Sequence, residues 1–327
     1  MITEVSLLVR LVMLIDKIPA PPLPTKRPRG KPPTSSEKLL LKALVIMIVR
    51  HVYTAHGLLQ LLAQDDPTVR ALRALLHEDG RFPHRRTWER RLAQLPPQLP
   101  GLIATFGIQL VTLLKPWQQQ GRAVAIDSTM LRTAGGVWHQ KDRKNGVIPH
   151  SSIDTEAGWS KSGYHGWWYG WKLHLVVTVG AWWIPLAAEL TPAKVGDNLL
   201  APQLLTPLSA EVRFVLGDTH YNDPVGREIC EQRGISLVAT RRGTRPHTDG
   251  GVEVRRLFHR LRSQSIEPFN GLFKEFFGWR KCLPVKGLVK SQLFALGAIL
   301  VYQLILFYQF ERGLHVGKDI KALLKAA

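Results

Sequence analysis

The chain has 327 residues, 45% of them apolar, enough to bury one large core or two ordinary ones. Its 44 Lys and Arg against 25 Asp and Glu give a net charge of +19 and a pI near 10.3, which directs it to polyanionic partners, either nucleic acid or an anionic membrane surface. The two cysteines, Cys230 and Cys282, are far apart and lack Cys-x-x-Cys spacing. A disulfide framework and a structural zinc site are therefore excluded, and a reducing cytoplasm is the expected location.

The opening MITEVSLLVRLVMLIDKIP is apolar but interrupted by Arg10 and Asp16, without a cleavage-site pattern, and reads as a helical arm rather than a signal peptide. Between Pro19 and Pro33, prolines alternate with Lys26, Arg27, Arg29 and Lys31. This composition makes an extended basic linker, so residues 1–35 form an arm and linker. Thr34 and Glu37 have capping-box spacing, and the run KLLLKALVIMIVRHVYTAHGLLQLLAQ predicts one long buried helix starting near Ser35 or Ser36. TVRALRALLHEDG, closed by Gly80, and TWERRLAQL, ended by Pro96 and Pro97, are further helices. Residues 36–117 thus form a helical region of four or five helices. Arg85, Arg86 and Arg90, with His84 and Arg91, line the helix that carries Trp88; such a face suits DNA phosphates or plain solvent.

After Gly121 the pattern changes. RAVAIDST, YGWKLHLVVTV, WWIPLAAELTP, VRFVLGDTHY and ISLVAT read as strands, with helices at NLLAPQLLTPL, VGREICEQRG, around Glu267 and over 288–310. Their order predicts an α/β layer with a mixed sheet. LFALGAILVYQLILFYQF, 293–310, approaches membrane-spanning length but contains Gln303 and Gln309, and is read as a buried core helix.

Two strand-like runs each deliver an aspartate at the end, RAVAID with Asp127 and RFVLGD with Asp218, at the edge where α/β sheets bind ligands. A third acid, Glu267, stands in RSQSIEPFNGLFKEFFGWRK, read as a single basic and aromatic helix. Clustered carboxylates repel one another and suit Mg²⁺ or Mn²⁺, whose bound pair serves phosphodiester chemistry.

With these residues in place, the chain resembles the DDE transposases of bacterial insertion sequences. AIDST at 125–129, YGWKLHLVV at 169–177, LTPAKVGDNLLAPQLL at 190–205, LGDTHYND at 216–223 and SIEPFNGLFKEFFGWR carry the resemblance, in order and spacing. It implies an RNase H-like α/β fold over 120–313, a helical DNA-binding region before it and a short tail, 314–327, after it. It also implies that Asp127, Asp218 and Glu267 bind one or two Mg²⁺ or Mn²⁺ ions and catalyse hydrolysis at the element's ends, followed by 3′-hydroxyl attack on target DNA. A homodimer on double-stranded DNA, in the bacterial cytoplasm at the nucleoid, is the implied working form. Lys274, seven residues after Glu267, matches the family's phosphate-binding lysine. The family's arginine is expected four residues before the glutamate, where Ser263 stands; Arg262 is displaced by one and takes that role. Arg260 stands seven before, in place of the family's tyrosine.

Lys172, in KSGYHGWWYGWK, is a further expected DNA contact. That segment and WHQKDRKNG at 138–146 either stack on unpaired bases or form a twisted strand pair whose aromatics pack on the sheet. Tyr221, beside His220, is expected to pack or to touch DNA rather than to act as a recombinase nucleophile. His150, His165 and His174 lack zinc spacing, and Asp197 is expected to cap the helix starting at Asn198. From Arg241 to Lys290 twelve basic residues face four acidic ones. The competing readings are a catalytically silent, element-derived DNA-binding protein and a basic protein anchored to a membrane through 293–310.

Overall fold

The computed structural model describes residues 6–19, 35–116, 122–163, 166–239 and 249–327. The basic residues of the proline-rich linker, as well as His165 and Arg241, lie outside them. The chain forms two compact units, Met1–Phe106 with Gln292–Ala327, and Gly107–Ser291. The expected catalytic stretch 120–313 therefore divides near residue 292.

Helices α1 (Leu7–Leu14), α2 (Glu37–Val49), α3 (Ala55–Leu62), α4 (Pro67–Leu75) and α5 (Arg85–Leu92) belong to the first unit, and α6 (Leu99–Leu114) begins in it. Each of α2, α3 and α4 starts on a side-chain cap. Ser36 Oγ accepts from Leu39 N at 3.2 Å, Thr54 Oγ1 from Gly57 N at 3.0 Å, and Asp66 Oδ1 from Val69 N at 3.1 Å. The single long helix expected after residue 36 is two. His51 adopts φ 53° and breaks the ladder, and Thr54 begins a new one. Trp88 is fully buried on the inner side of α5, leaving Arg85, Arg86 and Arg90 on the outer side, while Arg91 is half-buried and donates to Ser35 O at 3.3 Å.

The second unit contains β1 (Ala123–Arg132), α7 (Gln140–Lys144), β2 (Gly158–Ser162), β3 (Gly166–Thr178), β4 (Pro185–Pro192), α8 (Ala201–Leu205), β5 (Phe214–Gly217), α9 (Pro224–Gln232), β6 (Ser236–Ala239), α10 (Asp249–Ser263) and α11 (Ile266–Phe276). The strand order is β4-β3-β1-β5-β6. β3 is antiparallel to β1 and β4, β5 and β6 run parallel to β1, and β2 pairs with the first half of β3. An antiparallel half joined through β1 to a parallel half, with helices alongside, is the RNase H-like fold. β2 is the strand pair that the sequence left open as an alternative to a base-stacking loop. Gly170 sits where β1 and β2 both leave β3; a Cβ there would come within 2.3 Å of the Leu131 carbonyl oxygen, so this crossing admits only glycine.

α12 (Leu288–Glu311) and α13 (Ile320–Ala326) close the chain. The loop before β2 caps the start of α12, Asp154 Oδ2 accepting from Gly287 N at 3.1 Å and Glu156 Oε2 from Leu288 N at 3.0 Å. Pro96–Leu114 and Leu288–Glu311 are both apolar and long enough to cross a membrane, but 89% of the most apolar window of the second is buried within the protein. Its glutamines are bonded: Gln303 Nε2 donates to Ile103 O at 2.9 Å and Gln309 Nε2 to Lys318 O at 2.6 Å. Gly297 lets α2 approach closely, since a Cβ there would meet Ile48 and Leu44 within 2.8 Å.

Candidate active site

Asp127 lies at the middle of β1 rather than at its end. The antiparallel ladder to β3 continues through Ser128↔His174 as far as Arg132↔Gly170, whereas the parallel ladder to β5 stops at Ala125↔Leu216. The aspartate is thus terminal only on the β5 side. Two residues beyond that last pair on each strand come Asp127 and Asp218, and because side chains alternate along strands the two carboxylates share one face. Both are anchored to the backbone: Asp127 Oδ1 accepts from Ser128 N at 2.8 Å, and Asp218 Oδ1 from His220 N at 2.9 Å, capping the short 3₁₀ turn Thr219–Tyr221.

Glu267 arrives from the other side through a break in the helix. The segment 262–281 is not one helix: α10 ends at Ser263 and α11 starts at Ile266. Pro268 is the cause, since within a continuous helix its ring would clash with the Gln264 carbonyl and leave that carbonyl without a donor. At the third position of a new helix its missing N–H is harmless. Ser265 Oγ secures the junction by donating to Leu261 O at 2.8 Å and to Arg262 O at 3.1 Å. α11 buries Ile266, Phe269, Asn270 and Phe273, one face at helical spacing. The buried phenylalanines stabilise this seating by about 2 kcal/mol each. Glu267, in the first turn, stays 51% exposed near the positive end of the helix.

The break brings Arg262 into the site. Five residues along an unbroken helix turn about 140° from one another, too far for contact; across the break Arg262 Nη2 lies 3.1 Å from Glu267 Oε1, while Nη1 lies 3.5 Å from Asp127 Oδ2. Ser263 Oγ, in the position where the family carries arginine, reaches Glu267 Oε1 at 3.4 Å. Burial pushes the Asp127 carboxyl up to about 6. The Arg262 guanidinium and the Ser128 amide oppose this, and the neighbouring Asp218 and Asp197 add to it.

A fourth acid therefore stands nearby. Asp197 does not cap a helix; Gly196 occupies that position, and Asp197 Oδ1 receives Lys172 Nζ at 2.9 Å with both side chains largely buried. His174, fully buried, bonds Thr191 Oγ1 through Nε2 at 2.9 Å, and burial lowers its pKa so that it is neutral at pH 7. Lys172 is thus held by Asp197 and the Val195 carbonyl, and its ammonium is not presented outward. Tyr221 is 2% exposed beneath the acids and has no surface with which to touch DNA; burial raises its pKa well above the ordinary value. Sequence reasoning missed the Asp197, Lys172 and His174 group, for which Asp197 in GDN was the one visible signal.

Lys274 is half-buried on α11, desolvation lowers its pKa, and it joins none of the ion pairs among the described residues. Arg260 is exposed on α10. Beside Asp218 an open cavity of about 240 Å³ is lined by Thr219, Arg255, Phe258, His259 and Arg262. In the first unit Arg86 and Arg90 are exposed, while Arg85 Nε is paired with Glu89 at 2.8 Å.

Among the described residues no three His, Cys, Asp or Glu side chains are close enough, as arranged, to hold a metal ion. The donor chemistry nonetheless fits a hard divalent cation. The candidate donors are carboxylate oxygens, burial holds the Asp127 carboxyl above its ordinary pKa despite Arg262, and the cation now between Asp127 and Glu267 is a guanidinium.

The profile of the transposase DDE domain matches residues 118–304, more than half of the chain, and the chain belongs to that family. Two solved structures of Mos1 transposase are similar at 15% identity. One is a pre-cleavage transpososome, covering 85% of this chain and 80% of that one with a TM-score of 0.19; the other is a paired-end complex with the left transposon end, covering 88% and 80% with a TM-score of 0.22. No curated protein matches the sequence. The fold assignment rests on the strand order, not on these superpositions.

Proposed function

We propose that the protein cuts DNA at the ends of an insertion sequence and transfers the freed 3′-hydroxyls into target DNA. The observation that carries this reading is the convergence of Asp127 and Glu267, 140 positions apart in sequence, on one guanidinium, with Asp218 on the neighbouring parallel strand. Asp127, Asp218 and Glu267 would hold Mg²⁺ or Mn²⁺, which when bound polarises the phosphodiester and activates the attacking oxygen. The chain supplies the rest. Ser128 N and His220 N fix one oxygen of each aspartate, and the other oxygen of Asp127 faces Arg262, which would have to yield it to a bound cation. Arg262 orients Asp127 against Glu267 and is placed to turn toward a scissile phosphate in the adjoining cavity. The half-buried Lys274 ammonium gains most from a phosphate partner, because its desolvation is otherwise uncompensated.

The helical unit is proposed to hold double-stranded DNA through Arg86 and Arg90, with the basic surface of α10 tracking the backbone. Two ends must be joined, so a homodimer on DNA in the bacterial cytoplasm completes the reading. Short inverted repeats should flank the coding region. Purified protein with Mg²⁺ or Mn²⁺ should nick oligonucleotides carrying them, and chelation should stop it. Full activity of Asp127→Asn or Glu267→Gln would overturn the assignment.

A further inference from the structure

A fourth carboxylate, Asp197, stands beside the three already assigned, and two buried polar groups near it are unmet. Tyr221 Oη and His174 Nδ1 are both shielded from solvent, and neither has a hydrogen-bond partner among the described residues. Buried polar groups are nearly always paired, so these two call for a cause. The sequence builds a seat for the Tyr221 ring. Asp218 caps the turn Thr219–Tyr221 and Gly217 leaves it room, since a Cβ there would lie 3.0 Å from Tyr221 Cβ and 3.2 Å from Ile126 Cγ2. That turn packs against the 3₁₀ turn Asp197–Leu200. Phenylalanine would fill the same seat without burying an unpaired hydroxyl.

The hydroxyl lies in the field of three acids, Asp197 foremost, then Asp127 and Asp218. A phenol is protonated at neutral pH and can donate to any of them. Asp197 is nevertheless drawn the other way. Its Oδ1 takes Lys172 Nζ at 2.9 Å and stops 3.7 Å from His174 Nδ1, beyond hydrogen-bond reach, while its Oδ2 accepts no hydrogen bond among the described residues. Repulsion accounts for this arrangement. Asp127 and Asp197 act on each other as like charges, and a step toward the hydroxyl would carry Asp197 closer to Asp127 and Asp218, which share that field.

A divalent cation held by Asp127, Asp218 and Glu267 would cancel that repulsion, because in such a site the ion is the largest local charge. We infer that Asp197 then joins the site as an outer carboxylate, with the Tyr221 hydroxyl donating to its free oxygen. Tyr221 is thereby a positioning residue: it touches neither cation nor DNA, and acts by holding a fourth negative charge beside the other three. Lys172 keeps Asp197 Oδ1 throughout, so the buried ion pair is not broken. The inference rests on the cation site of the proposed function and adds to that site one acid and the side chain that holds it.

The test measures Mn²⁺ binding to the full chain without DNA, from the electron paramagnetic resonance signal of the free ion, alongside urea midpoints without metal. Tyr221→Phe deletes only the hydroxyl. It should weaken Mn²⁺ binding about tenfold while leaving the metal-free midpoint unchanged or higher, because the hydroxyl removed is unpaired in that state. A merely structural hydroxyl would give the reverse, a lower midpoint with unaltered Mn²⁺ binding. In a Lys172→Met, Asp197→Asn background, which removes both charges of the pair together, Tyr221→Phe should have little further effect on Mn²⁺ binding, because its charged acceptor is gone. Unchanged Mn²⁺ affinity in Tyr221→Phe, a lowered metal-free midpoint, or an equal loss in both backgrounds would overturn the inference while leaving the three-carboxylate site intact. Failure of the wild type to bind Mn²⁺ more tightly than Asp127→Asn would overturn both.

Discussion

The Arg262 guanidinium stands 3.5 Å from Asp127 Oδ2, across 135 residues of chain. It is the principal influence that lowers the pKa of that buried carboxyl. Arg262→Ala should therefore raise the Asp127 pKa beyond about 6 and move the acidic limb of the pH–cleavage profile upward. Cleavage at pH 7 should fall by about tenfold or more and recover in part at pH 8.5. Arg262→Lys keeps the charge but cannot bridge two carboxylates, so its limb should lie between those of wild type and alanine. An unmoved limb in both variants would remove Arg262 from the site.

Stability should report the same carboxyl with a definite sign. The Asp127 pKa is higher in the folded than in the unfolded chain, so its contribution favours folding below about pH 4 and is lost as pH rises through about 6. A shift of about two units corresponds to about 3 kcal/mol, with the contact to Arg262 already included. Asp127→Asn carries no such loss. It should be more stable than wild type by about 2 kcal/mol at pH 8 and by little at pH 4, as read from urea midpoints. A difference that did not change with pH would contradict the burial of a charged Asp127.

The pair of Lys172 with Asp197 is largely withdrawn from solvent, with side chains 15% and 14% exposed. Lys172→Met leaves a buried acid without its partner and should destabilise the protein by about 3 kcal/mol. Adding Asp197→Asn should recover more than half of that. A Lys172 variant that weakened DNA binding without any change in stability would instead make the lysine a DNA contact.

Much of the sheet was legible before the structure because its strands are short apolar runs bounded by turns, and Ile126, Val215 and Leu216 are as buried as that pattern demands. The acids could be picked out as polar residues following such runs. The break after Ser263 was harder to read. Pro268 was a visible signal, but basic and aromatic residues continue on both sides of it and suggested one helix. The displaced position of Arg262 is a consequence of that break, since the sequence offset refers to a continuous helix that does not exist. The Asp197, Lys172 and His174 group could not be seen because it joins β3 to the loop after β4, a contact with no periodic trace in sequence. Likewise α12, apolar on all sides, announced burial but not which residues would bury it.

The α5 surface makes a separate prediction about salt. If Arg86 and Arg90 rest on phosphates, each alanine substitution should weaken binding to all duplex sequences alike and reduce the slope of log K against log salt by about one. Arg85→Ala should change the slope less, because Glu89 already holds that guanidinium. Equal slopes for all three variants and wild type would make the face a solvated one.

β3 runs without interruption from Trp167, paired with Lys161 of β2, to Leu175, whose neighbour in the ladder is Asp127. Eight residues of extended chain span at most about 26 Å. The strand thus fixes the separation between the β2–β3 ribbon at one end and the Asp127 carboxylate at the other.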